Sequence, residues 1–194
     1  VPYLDAATTL AAAAARADVD LSLKTPDADA TPCVEAVFGK PLADDIAAHG
    51  YPSDVEVPWV VEELYVYDLD ELSDRQAGYR VGVQDGRPVA GWDAGHFVIA
   101  DWAANPVTVA QNGTIHYARH GEGAWDYHQI CADLPTFFLL LAAWLGHVAE
   151  HGENLHDGNF DIPDAARETI RRLVSGVVDT ADQDAACNFL LGER

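Results

Sequence analysis

Methionine is absent from the 194-residue sequence, lysine occurs only at Lys24 and Lys40, and the three cysteines, Cys33, Cys131 and Cys187, stand far apart. Each shortage excludes something. Eleven Lys and Arg against 32 Asp and Glu leave a net charge of −21. A surface of that sign repels nucleic acid and anionic lipid and draws in cations or basic proteins. Neither lysine sits in the GxxxxGK[ST] pattern that cradles phosphates. There is no CxxC pair for zinc or redox chemistry, and the scattered thiols read as reduced, partly buried groups in a cytosolic protein. No GxSxG elbow is present to raise a nucleophile. No apolar run is long enough to span a bilayer. The alanine-rich start, "AATTLAAAAARAD", lacks a basic leader and a strongly apolar core, so it reads as helix rather than signal peptide. A chain without Met that opens on Val1 is read as one whose initiator has been removed.

What is present fits a single α+β domain. Residues from Asp5 to Ala17 are expected to be helical, because alanine is the best helix former. "CVEAVFGKPLADDIAAHGYP" reads as short helical pieces stopped at Gly50, with Pro52 just beyond. "VEVPWVVEELYVYD" carries the Val, Tyr and Trp content of a strand. "DLDELSDRQAGYR" is expected to form a short acidic helix ending at Gly78, and "RVGVQDGRPVAGW" two short strands around Asp85-Gly86. "HFVIAD" is a strand and "PVTVAQNGTIHYA" a hairpin. A two-residue Asn-Gly loop would pair Val109 with His116. A three-residue loop with Gly113 left-handed would pair Val109 with Ile115 and Val107 with Tyr117. The second register gathers Val107, Val109, Ile115 and Tyr117 on one face, and burial favours it. The strongest helix follows in "DLPTFFLLLAAWLGHVAEHG", with Asp133 as N-cap and Pro135 in its first turn. The last clear helix is "DAARETIRRLVSGVV", with Ile170, Leu173, Val174, Val177 and Val178 at helical spacing.

Three groups of residues invite a chemical reading. His147 and His151 lie four apart on one helix, a spacing that can place two imidazoles on one metal. With a carboxylate such as Asp157 they would make a metal-dependent hydrolase. The alternative is that both rings serve the helix C-terminus. No Glu follows His147, so the HExxH pattern is missing. A second set, His116, His120 and His128 with Asp101 and Asp126, has no accompanying nucleophile. The third is the acidic run Asp68 to Asp74. It lacks the Gly and Glu of a calcium loop, since Ser73 and Tyr79 occupy those places. It reads as a solvated face or as a docking face for a basic partner. On a helix Asp70, Glu71 and Asp74 share one side. Asp101 and Trp102 are expected at a strand end nearby, with Trp102 the tryptophan most exposed and able to act as an anchor.

The order of these features resembles the SUKH superfamily, the group around fungal Smi/Knr-type regulators of cell-wall synthesis. The likeness rests on the segment ending in Gln76, Gly78, Tyr79 and Arg80, then Trp92, "FVIAD", Pro106-Val107, the hairpin, "HGEGAW", and a helix carrying Phe137, Phe138 and Leu141. It runs from about Val57 to Ala149, the core of one domain 1–194 whose flanks, 1–54 and 152–194, are helical. "DWAANP" departs from the glycine- and acid-rich turn common in related sequences. The resemblance implies an α+β fold with a mostly antiparallel, bent sheet and helices packed on it. It implies a cytoplasmic, non-enzymatic binding protein without a cofactor. Bacterial members are regarded as immunity proteins that neutralise a toxin domain, often a nuclease; fungal members are regulatory scaffolds. Trp92 and Trp125 are expected in or near the hairpin's core, with Gly121 and Gly123 shaping the turn. The expected partner is a basic protein, not nucleic acid or membrane, held by Asp68, Asp70, Glu71, Asp74, Asp101 and Trp102. Oligomeric state is left open.

Overall fold

The computed structural model describes residues 1–60, 62–121 and 124–193. Among these residues, six α-helices and two antiparallel sheets form an α+β architecture with helices packed on a sheet. In chain order the elements are α1 (Tyr3–Arg16), β1 (Leu23–Lys24), α2 (Thr31–Phe38), α3 (Lys40–His49), β2 (Tyr51–Pro52), β3 (Val55–Val57) and β4 (Leu64–Val66). A 3₁₀ turn (Asp74–Gln76) follows. Then come β5 (His96–Trp102), β6 (Asn105–Ala110), β7 (Ile115–Tyr117), β8 (His128–Cys131), α4 (Leu134–His151), α5 (Asp164–Ser175) and α6 (Gln183–Leu191). Strands β3 to β8 form one meander in sequence order, and β1 pairs with β2.

The hairpin register is the one that burial favours. Val109 pairs with Ile115 and Val107 with Tyr117, closed by a three-residue loop in which Gly113 has φ +86°. Paired residues share a face. The row Val55, Val66, Ala100, Val107, Tyr117 therefore runs across five strands on the core side. A β-bulge between Val98 and Ala100 inserts Ile99. It switches which residues of β5 point to the core, and Val98, Ile99 and Ala100 are all fully buried. A second shift lies between Ile115 and His116. Bulges kink strands and increase their twist.

Helix α4 begins as its sequence dictates. The Asp133 side chain accepts the Thr136 N–H at 2.8 Å, a cap worth about 1 kcal/mol. Its apolar residues Phe137, Phe138, Leu141, Trp144 and Leu145 are buried. Helix α1 lies along α4 and buries Ala6, Ala7, Leu10, Ala13 and Ala14, small side chains that let the two backbones approach. Helix α6 lies in the C-terminal flank expected to be helical, beyond the last helix whose bounds the sequence marks. Its Phe189 is fully buried, with Trp59, Trp102, Tyr117 and Phe137 around it. The terminal segments are thus part of one contiguous core running from Tyr3 to Leu191.

Two local expectations are corrected. The acidic segment is not an α-helix but a run of tight turns ending in the 3₁₀ turn. The Asp70 N–H turns back to the Asp68 carboxylate at 2.9 Å, and the Leu69 N–H is taken by the Ser53 hydroxyl at 3.0 Å. Side chains that capture nearby backbone N–H groups compete with helix formation in this way. "RVGVQDGRPVAGW" holds no strand, only a single bridge between Val81 and Pro88 and one between Ala77 and Val81. Among the described residues, no helix is long and apolar enough to cross a membrane.

Candidate protein-binding surface

The sheet's second face begins with the row Glu56, Tyr65, Asp101, opposite the apolar row. Three segments far apart in sequence meet this row. The chain leaving α1 brings Asp18 and Asp20, the β3–β4 hairpin brings Asp54, Glu56 and Glu63, and the chain after α4 brings Glu153. Together with Val19, Pro58 and Tyr65 they line a groove of about 590 Å3. Six carboxylates face it, and none of its lining residues is cationic. Asp54 accepts the Tyr65 hydroxyl at 2.7 Å. Burial, reinforced by that carboxylate, pushes the Tyr65 phenol up to about 12, so it stays a donor.

The predicted acidic run continues this surface. Asp68 meets Lys24 at 3.1 Å, and Lys24 also feels Asp54 and Asp70. Partial burial opposes ionisation of Asp68. The Asp70 N–H, then Lys24, then the Ser53 hydroxyl outweigh it and hold the carboxyl below its ordinary value. Asp70 accepts the Asp27 N–H at 3.0 Å. Asp27, Asp29, Asp70, Leu69 and Ser73 line a second recess of about 380 Å3. Glu71 is engaged by Arg75, whose Nε and Nη2 lie 3.1 and 2.9 Å away and whose guanidinium lies over the Tyr65 and Tyr67 rings. Asp74 is exposed in the 3₁₀ turn. Asp68, Asp70 and Glu71 therefore belong to the same acidic face as the groove, and Asp74 is exposed in the turn that follows. The mutual repulsion expected of Asp70, Glu71 and Asp74 is eased, because Asp70 holds a backbone N–H and Glu71 an arginine.

The last two residues separate. Asp101 is half-buried and accepts the Tyr79 hydroxyl at 2.6 Å. Trp102 points the other way and is 2% exposed, packed on Phe189 and Tyr117. The expectation of an exposed tryptophan anchor is corrected: adjacent strand residues alternate faces, and α6 covers this one. The residues that sequence reasoning missed, Asp18, Asp20, Asp54, Glu56, Glu63 and Glu153, carry no local signal. They converge only through the fold.

Further along the second face, Gln76 acts as a short piece of edge strand. Its Nε2 donates to the Val98 carbonyl at 2.9 Å and its Oε1 accepts the Val98 N–H at 3.0 Å. Beyond it, Trp92, Trp125, Tyr127 and Tyr79 pack edge to face, all half-buried. Trp92, half-buried, packs against the core as expected of a residue in or near it, and Trp125 packs on Trp92 and Tyr79. Gly121 has φ +86°, while Gly123 lies outside the described residues. His96 stacks on Tyr127 at 3.8 Å, and its Nδ1 meets the buried Thr108 hydroxyl at 2.9 Å. Burial, then neighbouring His96, pushes His116 down to about 4, so both rings are neutral near pH 7. The other residues of that histidine set disperse. His128 meets Asp126 at 3.5 Å, and His120 lies against the Trp125 ring.

His147 and His151 do approach each other, with ring centroids 4.9 Å apart. Asp157 turns into its own loop, where its Oδ1 accepts the N–H groups of Asn159 and Asp161. Among the described residues, no three His, Cys, Asp or Glu side chains are grouped to hold a metal ion. The cysteines are unpaired thiols, and burial raises all three.

The geometry thus defines an α+β protein with one strongly acidic face. No family model, no curated protein and no solved structure matches the chain.

Proposed function

We propose that this chain is a non-enzymatic, cytoplasmic binding protein that takes a basic protein partner on its acidic face. The observation that carries the reading is the groove of six carboxylates between α1, the β3–β4 hairpin and the segment after α4. Like charges brought together cost stability in the free protein, and a cationic partner offsets that cost. The resemblance to the SUKH superfamily points to an immunity protein as the kind of binder and to a toxin domain, such as a nuclease, as the partner. A nuclease presents a basic surface to its own substrate. An acidic protein occludes that surface and reaches it quickly through electrostatic steering.

The test is charge reversal in the groove, with Glu56, Glu63 and Glu153 changed together to Lys. These three accept no hydrogen bond from another side chain among the described residues, so the fold should survive. The expected result is slower association with the cognate toxin domain, and a weaker dependence of the association rate on salt. A toxin that kills equally with and without the wild-type chain, or an unchanged rate in the folded variant, rejects the reading.

A further inference from the structure

Away from the acidic face, α1, α4 and α5 border an open cavity of about 670 Å3 lined by Arg16, Gly146, His147, His151, Thr169 and Arg172, with Glu150 at the same wall. In a chain with so few cations, two arginines and two histidines converge here. Among the described residues, neither Arg16 nor Arg172 has a carboxylate within ion-pair distance; Arg172 donates only to the Thr169 hydroxyl, at 3.2 Å. With 32 acidic residues available, two exposed guanidiniums without an ion pair at one cavity are free to take an external anion. Glu150 is the one carboxylate in the lining and meets His151 at 3.7 Å.

The shape narrows the ligand. Guanidinium groups match phosphate oxygens with paired N–H donors, and imidazole and hydroxyl groups add single ones. The volume is that of a small-molecule site, larger than a bare phosphate fills. Ala143, Gly146 and Leu173 supply an apolar wall. At Gly146 an added Cβ would stand 3.6 Å from the Arg16 guanidinium, an ordinary contact, which places that group against α4 at the cavity wall. We propose that this cavity binds a small phosphomonoester, with Arg16 and Arg172 on the phosphate and the organic group against Leu173 and Ala143. The site is independent of the acidic face and of the function proposed for it.

Imidazole NMR on the full chain tests the site, with inorganic phosphate and phenyl phosphate as probes against chloride at constant ionic strength. Expected are saturable shifts at His147 and His151 but not at the distant His49 and His120. Phenyl phosphate should bind at least about tenfold tighter than inorganic phosphate. Changing Arg16 and Arg172 together to Gln should weaken binding by about tenfold or more, and Lys at both positions should restore part of it. Non-saturating shifts, equal affinity for the two probes, or unchanged binding in the Gln variant would each overturn the proposal. If the two arginines serve only their helix ends, the Gln variant loses thermal stability while the wild type shows no saturable shift, which also overturns it. Because the wild-type titration stands alone, a variant that fails to fold leaves the outcome decidable.

Discussion

On one face of the six-stranded sheet, Val107, Val109, Ile115 and Tyr117 meet the aromatic and aliphatic side chains of α4 and α6. On the other, Thr108 and His96 are covered by Tyr127 and Trp92, while the Gln76 carboxamide closes the sheet edge at the Val98 backbone, so what closes this side is polar or aromatic. The first face is closed by area removed from water, which is non-directional and tolerates exchange of similar shapes. The second is closed by specific hydrogen bonds, where a missing partner leaves a buried group unsatisfied. The acidic row Glu56, Tyr65, Asp101 belongs to this second face. Polar groups left on that side stay within reach of solvent and of a partner, while the apolar side is spent on the core.

The difference can be broken on the apolar side first. Phe189→Ala removes a fully buried ring that touches four aromatics and should cost about 3–5 kcal/mol in denaturant unfolding. On the polar side, Gln76→Ala strands both the N–H and the carbonyl of Val98. It should cost about 2–3 kcal/mol by the same measurement, although it deletes less apolar surface. An effect of Gln76→Ala below that of an ordinary surface change would show that water replaces the carboxamide, and the proposed contrast between faces would fail.

Acid should weaken the polar side selectively. The folded His116 value of about 4 lies below its ordinary 6.5, because burial disfavours the charged ring. A histidine held neutral contributes stability that is fully present above pH 6.5 and is lost as pH falls toward 4. Allowing for partial exposure, the loss should be about 1–2 kcal/mol. His116→Gln should flatten that part of the stability–pH curve. Asp68, held below its ordinary value, loses its contribution at lower pH still, as protons reach its folded value.

Smaller effects sharpen the contrast. Thr108→Val keeps the shape but removes the partner of His96 Nδ1, at a cost of about 1 kcal/mol. The turn between β5 and β6 places Ala103 and Ala104 at φ 46° and 60°, a left-handed pair that alanine adopts with strain. Glycine at both positions should raise stability by about 0.5 kcal/mol or slightly more, read as a higher melting temperature.

Much of the fold was legible because its signals are local. The Asp133 cap, the apolar stripe of α4 and the Gly113 loop all lie within a few residues of what they control. The hairpin register followed from burial alone, since the other register would have turned alternate Val and Ile residues to solvent. The site was legible only in part. Asp68, Asp70, Glu71 and Asp74 stood out as a run, but their helix did not form, because Asp68 and Ser53 capture the backbone N–H groups that a helix would use.

By itself the sequence determined the α+β class, the hairpin register, the start of α4 and the sign of the molecular charge. Each is a property of neighbouring residues or of a sum over all of them. Only the tertiary structure decided where that charge gathers and what the termini do. Asp18, Asp54, Glu63 and Glu153 share a groove because α1 runs beside α4 and Pro58, between β3 and β4, accepts the Trp144 indole N–H of α4. Trp102 is buried because α6, 80 residues or so further along, folds back over β5. Contacts across such separations depend on which faces the whole core closes over, and no short stretch of residues encodes that choice.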